Sequence, residues 1–114
     1  MRVLEVIDDS CGFRTRIVAQ RKDRAFVTLN ITSECEEVAR WGSGIREVDW
    51  RECLGGNALQ SHLWHSAFQV LKHRCCPVPA AVLRAVSAEV GAIKAAGVAI
   101  DFLSSENRPV AVVD

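Results

Sequence analysis

The sequence lacks an excess of either charge. Its 14 Lys and Arg are matched by 14 Asp and Glu, so the formal net charge is zero. That balance argues against a general nucleic-acid binder, which displaces counterions with surplus cations. It argues equally against a polybasic membrane-surface module. Long apolar runs are missing too. The segment from Val78 to Ile100 comes nearest, but Arg84, Glu89 and Lys94 interrupt it, well short of the roughly 18 apolar residues of a spanning helix. A secretory leader is not written near Arg2, because Glu5, Asp8 and Asp9 break the apolar stretch that follows it. There is no Cys-x-x-Cys pair, no zinc-finger rhythm, no Gly-Lys-Ser/Thr phosphate loop and no internal repeat. These absences lead to the expectation of a cytoplasmic protein with no nucleic-acid or membrane partner, whose thiols are not stable disulfides.

What is present fits one domain. The chain has 114 residues, 49% hydrophobic and 25% charged, inside the range of compact folds and outside that of disordered chains. The first third reads as strands. Val3–Ile7, Phe13–Gln20 and Ala25–Ile31 are rich in β-branched residues and alternate, with Val27, Leu29 and Ile31 on one face. The turn Asp8-Asp9-Ser10-Cys11-Gly12 and the charged loop Arg21–Arg24 separate them. Short connections imply an antiparallel meander.

Helices follow. Ser33 with Glu36 reads as a capping box opening a short helix that Gly42 and Gly44 end. Asp49 caps another short turn, and Gly55-Gly56 breaks the chain. Asn57 opens a longer helix to about His73, with Leu59, Leu63, Ala67, Phe68 and Leu71 on its apolar face. Cys75-Cys76-Pro77-Val78-Pro79 is a rigid connector. The next helix carries an apolar stripe of Val82, Leu83, Val86, Val90 and Ile93 and is stopped by Gly97. Val98–Phe102 reads as a last strand returning to the sheet. The expected fold is therefore α+β, a mostly antiparallel four-stranded sheet in β-β-β-α-α-α-β order with helices on one face. Residues 1–103 form the domain; residues 104–114, with Val110, Val112 and Val113, are either a frayed tail or an extra edge strand.

The five cysteines carry the sharpest functional reading. Cys11 lies in the first turn, Cys35 where the third strand gives way to a helix, and Cys75 and Cys76 between two helices. A packed structural cysteine is a small hydrophobe more at home in mid-element. At element ends, side chains from separate segments can converge on one ion. His73 and Cys76 are three apart, short enough to reach one centre. Cys11 and Cys35 would complete three thiolates and one imidazole, with Cys75 as the substitute ligand and Cys53 as the spare. An all-thiolate set would suit an iron–sulfur cluster, although adjacent cysteines seldom point at one centre. The competing readings are packed free thiols, a redox or nucleophilic thiol, and a dimeric interaction module.

Other candidates have plainer explanations. His62 and His65 share a helix face that reads as solvated polar surface. Trp41, Trp50 and Trp64 read as core anchors, the basic residues between Arg14 and Arg24 as a solvated hairpin, and Asp8-Asp9 as a turn.

The motifs Cys11-Gly12-Phe13, Ser33-Glu34-Cys35 and His73-x-x-Cys76-Pro77-Val78-Pro79 resemble those of an uncharacterised family of small, about 100-residue proteins, mainly from anaerobic bacteria and archaea. The resemblance runs over residues 1–102. It implies a shared set of Cys11, Cys35 and Cys76 with His73 beside them, and makes Cys53 and Cys75 additions of this chain. It implies no activity. The combined expectation is a metal-binding accessory protein holding zinc or an iron–sulfur cluster through Cys11, Cys35, His73 and Cys76. The alternative is a non-catalytic homodimeric or protein-binding module with packed thiols.

Overall fold

Three alternating strands form a meander whose apolar face is the floor of the core. The computed structural model describes residues 1–103. Strand β1 spans Arg2–Asp8, β2 Phe13–Arg21 and β3 Phe26–Ser33, all antiparallel. Side chains alternate across a strand, so Ile17, Ala19, Val27, Leu29 and Ile31 are all buried, while Arg14, Arg16, Asn30 and Thr32 face solvent. The register stacks Leu4, Ile17 and Ile31 in one row and Val6, Thr15 and Ser33 in the next. At the β2–β3 hairpin the Asp23 carboxylate accepts the N–H groups of Ala25 and Phe26 at 2.8 and 2.9 Å. Those bonds hold its pKa below the usual value.

Helix α1, Glu36–Ser43, lies against β3. Its N-cap is Cys35, not the expected Ser33. The Ser33 hydroxyl instead accepts the Cys35 N–H at 3.1 Å, a local turn that competes with capping. Gly44 closes the helix, and the chain enters β4, Glu47–Asp49, paired to β3 through Val27 and Val48. Asp49 then caps α2, Trp50–Leu54, accepting the Arg51 N–H at 2.9 Å, as the sequence predicts.

The α+β class, the four-stranded antiparallel sheet and the one-sided helices hold, with strand order β1-β2-β3-β4. The position of the fourth strand is corrected. It is Glu47–Asp49, inserted after α1, and the element order is β-β-β-α-β-α-α-α with one 3-10 turn before α3. Val98–Phe102 forms no strand with the other described residues, with Val98 63% and Phe102 93% exposed. Ile45 and Val48 take the buried places beside β3. A three-residue strand with one apolar side chain carries too little alternation to be read in advance.

Residues 58–60 form that 3-10 turn, and α3, His62–Val70, starts only after Ser61. The break resets the helical phase. Leu63, Ala67 and Leu71 are buried as expected, whereas Leu59 and Phe68 are exposed. The Phe68 ring stacks on Trp64 at 6.1 Å, with the Arg74 guanidinium 5.5 Å from its centroid. Helix α4, Val78–Glu89, packs Val82, Ala85 and Val86 over β1 and β2. It stops at Gly91 rather than at Gly97. Gly91 has φ +81°, and the bonds Gly91 N–H to Ala88 O and Ala92 N–H to Ser87 O close the end in a Schellman motif. Ile93 therefore lies beyond the helix and is partly exposed. Among the described residues no helix is long and apolar enough to cross a membrane. The expected tail role for residues 104–114 lies outside the described residues.

Candidate thiol site

One end of the sheet gathers three segments that carry cysteines. At the end of β1, the Asp8 carboxylate accepts from the Ser10 hydroxyl and, at 3.0 Å, from the Ser10 N–H. These bonds lower the Asp8 pKa. The turn closes with Gly12 N–H on Asp8 O at 2.8 Å, at a φ of +76° that favours glycine. Cys11 sits within this turn, exposed, its Sγ 3.6 Å from Asp8 O as a weak donor.

The end of β3 is pinned beside the start of β2. Thr15 and Ser33 share a 2.7 Å hydroxyl bond, Glu34 N–H reaches Arg14 O at 3.1 Å, and Glu34 Oε1 accepts the Arg14 N–H at 2.7 Å. Cys35 follows directly, half-buried against the core. The third segment is the α3–α4 connector. There the Cys76 N–H donates to His73 O at 3.2 Å, and the half-buried Cys76 packs on the same core.

The Cys76 thiol ties the three segments together electrostatically. Burial pushes its pKa up, the Val78 N–H at the start of α4 opposes that, and the negative charges of Cys35, Asp8 and Cys11 add to the rise. The sequence gathers Cys11, Cys35 and Cys76 into one site; in the structure the charges of Cys35 and Cys11 reach Cys76 as minor contributions behind burial. Asp8 joins them, although the sequence reading gave it only a turn. Its position three residues before Cys11 was the available signal.

Of the remaining predicted residues, His73 is exposed and contributes its carbonyl to the connector, and Cys75 is exposed beside it. Cys53 is 2% exposed in the core. Burial, with the charges of Glu52 and Asp49, pushes its pKa up to about 11. Among the described residues, no three His, Cys, Asp or Glu side chains are grouped closely enough to hold a metal ion as they stand. His62 Nε2 lies 3.3 Å from Gly44 O, and His65 meets Gln69 on the exposed face of α3. Two shallow depressions lie elsewhere, one lined by Leu29, Asn30, Ile31, Gly42, Ser43 and Arg46, the other around Gly55 and Gly56; no cysteine lines either.

Neither the curated proteins nor the solved structures yield a match. A family model does match, and it covers residues 3–102, all of the sheet but Arg2 and every described helix. The chain belongs to a family of unknown function, DUF6951.

Proposed function

We propose that this protein is a cytoplasmic metal-binding accessory protein, with Cys11, Cys35 and Cys76 as thiolate ligands and His73 as the fourth donor. What supports the reading is that Cys35, Cys11 and Asp8 lie near enough for their charges to bear on the half-buried Cys76. These come from the end of β1, the β1–β2 turn and the start of α1, and Cys76 from the α3–α4 connector. Three thiolates and one imidazole are a zinc donor set. An iron–sulfur cluster would need a fourth thiolate from Cys75.

Binding would draw the groups together from their present separation. Cys11 and Cys76 ride on irregular segments, which adjust more readily than strands. The bound ion would clamp the end of the sheet, joining two turns to α1. It would also offset the repulsion that three bound thiolates and Asp8 would otherwise exert on one another. The rise that burial leads keeps Cys76 protonated at neutral pH, which weighs against the alternative of a resting nucleophilic thiolate.

Anaerobically purified protein is expected to carry close to one equivalent of zinc, or of iron with sulfide. Cobalt substitution should give a thiolate-to-metal charge-transfer band. Less than about 0.2 equivalents of either metal, together with no cobalt band on titration, would overturn the assignment.

A further inference from the structure

We propose that β1 is a dimerisation edge, pairing antiparallel with β1 of a second copy about a two-fold axis at Glu5. The four-stranded sheets of the two copies would then form one continuous sheet. β1 is the end strand of the sheet and, among the described residues, no strand lies on its outer side. Such an edge presents unpaired N–H and C=O groups on alternate residues, a template for another strand. The other end strand, β4, is only three residues long and pairs with the first half of β3, where Leu29 N–H also donates to Arg46 O at 2.7 Å.

The occupant is read from the strand itself. In Arg2-Val3-Leu4-Glu5-Val6-Ile7-Asp8, a two-fold at Glu5 sets Arg2 opposite Asp8 of the second copy, Val3 opposite Ile7, and Leu4 opposite Val6. Each pair occurs twice by symmetry. Every position except the centre meets its chemical complement, and opposed residues share a face, so both copies keep their helices on the same side. Moving the axis by one residue sets Val3 or Ile7 against a charged side chain, and the agreement is lost. The one like-charged pair is Glu5 with its own copy. Within its own sheet Glu5 lies directly opposite Arg16, so a guanidinium flanks each carboxylate. Val3 and Ile7, 47% and 55% exposed in one chain, would cover each other on the solvent face. Leu4 and Val6, half-buried under α4, would extend the core across the axis.

Sedimentation velocity on the full chain tests this. The expected result is a species of twice the 12.5 kDa of one chain. Arg2→Glu should weaken the dimer about tenfold, since two attractive pairs become repulsive. Glu5→Gln should strengthen it by removing the central repulsion. Neither residue is buried, so the circular dichroism spectrum should stay unchanged for both, although Arg2→Glu also removes a charge that favours the Glu89 carboxylate. A monomer at every soluble concentration would overturn the proposal, as would a dimer indifferent to both changes. A dimer abolished instead by Ile100→Asp or Phe102→Asp would show that the exposed segment around them is the contact, and would overturn it as well.

Discussion

A Cβ built on Gly42 would stand 2.8 Å from the Cβ of Ile31. Helix α1 therefore lies on β3 with no room for a side chain between them at that point, which accounts for a glycine inside the last turn of a helix. Gly42→Ala would force α1 and β3 apart, because the atom it meets is fixed to the strand backbone. The expected cost is about 1–3 kcal/mol, the usual range for overpacking. Gly56 is the control. Its Cβ would meet nothing within 4 Å and its φ is not positive, so Gly56→Ala should leave stability unchanged or raise it by about 0.5 kcal/mol. Urea denaturation of the two variants checks both signs.

Glu89 ties the last turn of α4 to the sheet. Its carboxylate is 9% exposed, accepts the Arg21 N–H at 2.7 Å and pairs with the Met1 ammonium at 3.3 Å. Burial pushes its pKa up, but the Arg21 N–H, the ammonium and the charge of Arg2 outweigh burial and leave it lowered. A lowered carboxylate stabilises the fold above its unfolded pKa of about 4.3, and that contribution is lost as pH falls through the folded value. Glu89→Gln should therefore cost about 1 kcal/mol at pH 7. The difference from the parent protein should shrink below pH 4 or so as the carboxyl protonates. Thermal melts across that pH range read it directly.

How far the fold was legible in the sequence depends on where the information sits. The meander was readable because Thr15, Ile17 and Ala19 and then Val27, Leu29 and Ile31 alternate cleanly over long strands, and the Asp49 cap because its signal is local. β4 was not, since Glu47-Val48-Asp49 is a strand only by virtue of its pairing to β3. The end of α4 was misplaced because Gly91 and Gly97 look alike in sequence; only the φ of +81° separates them. Four cysteines, Cys11, Cys35, Cys75 and Cys76, are legible as lying at element ends, and they lie there. What brings Asp8 to Cys76 is the packing of α4 across β1 and β2, and no spacing along the chain encodes that.

The five thiols should divide by environment when alkylated. Cys11 and Cys75 are exposed and should react first at pH 8. Cys35 and Cys76 are half-buried, and Cys76, raised by burial and by its acidic neighbours, should lag behind. Cys53, buried at 2% exposure with a pKa of about 11, should stay unmodified until the chain is unfolded, since only the thiolate reacts. Mass spectrometry of peptides after a timed pulse would order them. Early modification of Cys53 would contradict the packing described for α2.

The adjacent pair Cys75 and Cys76 offers the cleanest separation of ligand from bystander. Cys76 packs against the core and feels the charges of Cys35, Asp8 and Cys11, whereas Cys75 is exposed. Cys76→Ser should weaken zinc or cobalt binding by at least about tenfold, as the loss of a thiolate ligand does, while Cys75→Ser should leave it within about twofold. The reverse order would assign the ligand to Cys75 and favour the all-thiolate set. Because burial and its neighbours hold Cys76 protonated at neutral pH, the metal must displace that proton. Affinity should therefore rise with pH and each binding event should release protons. Calorimetry in two buffers of different ionisation enthalpy counts those protons. In Cys76→Ser the count should fall by the one that Cys76 gives up, and in Cys75→Ser it should not change.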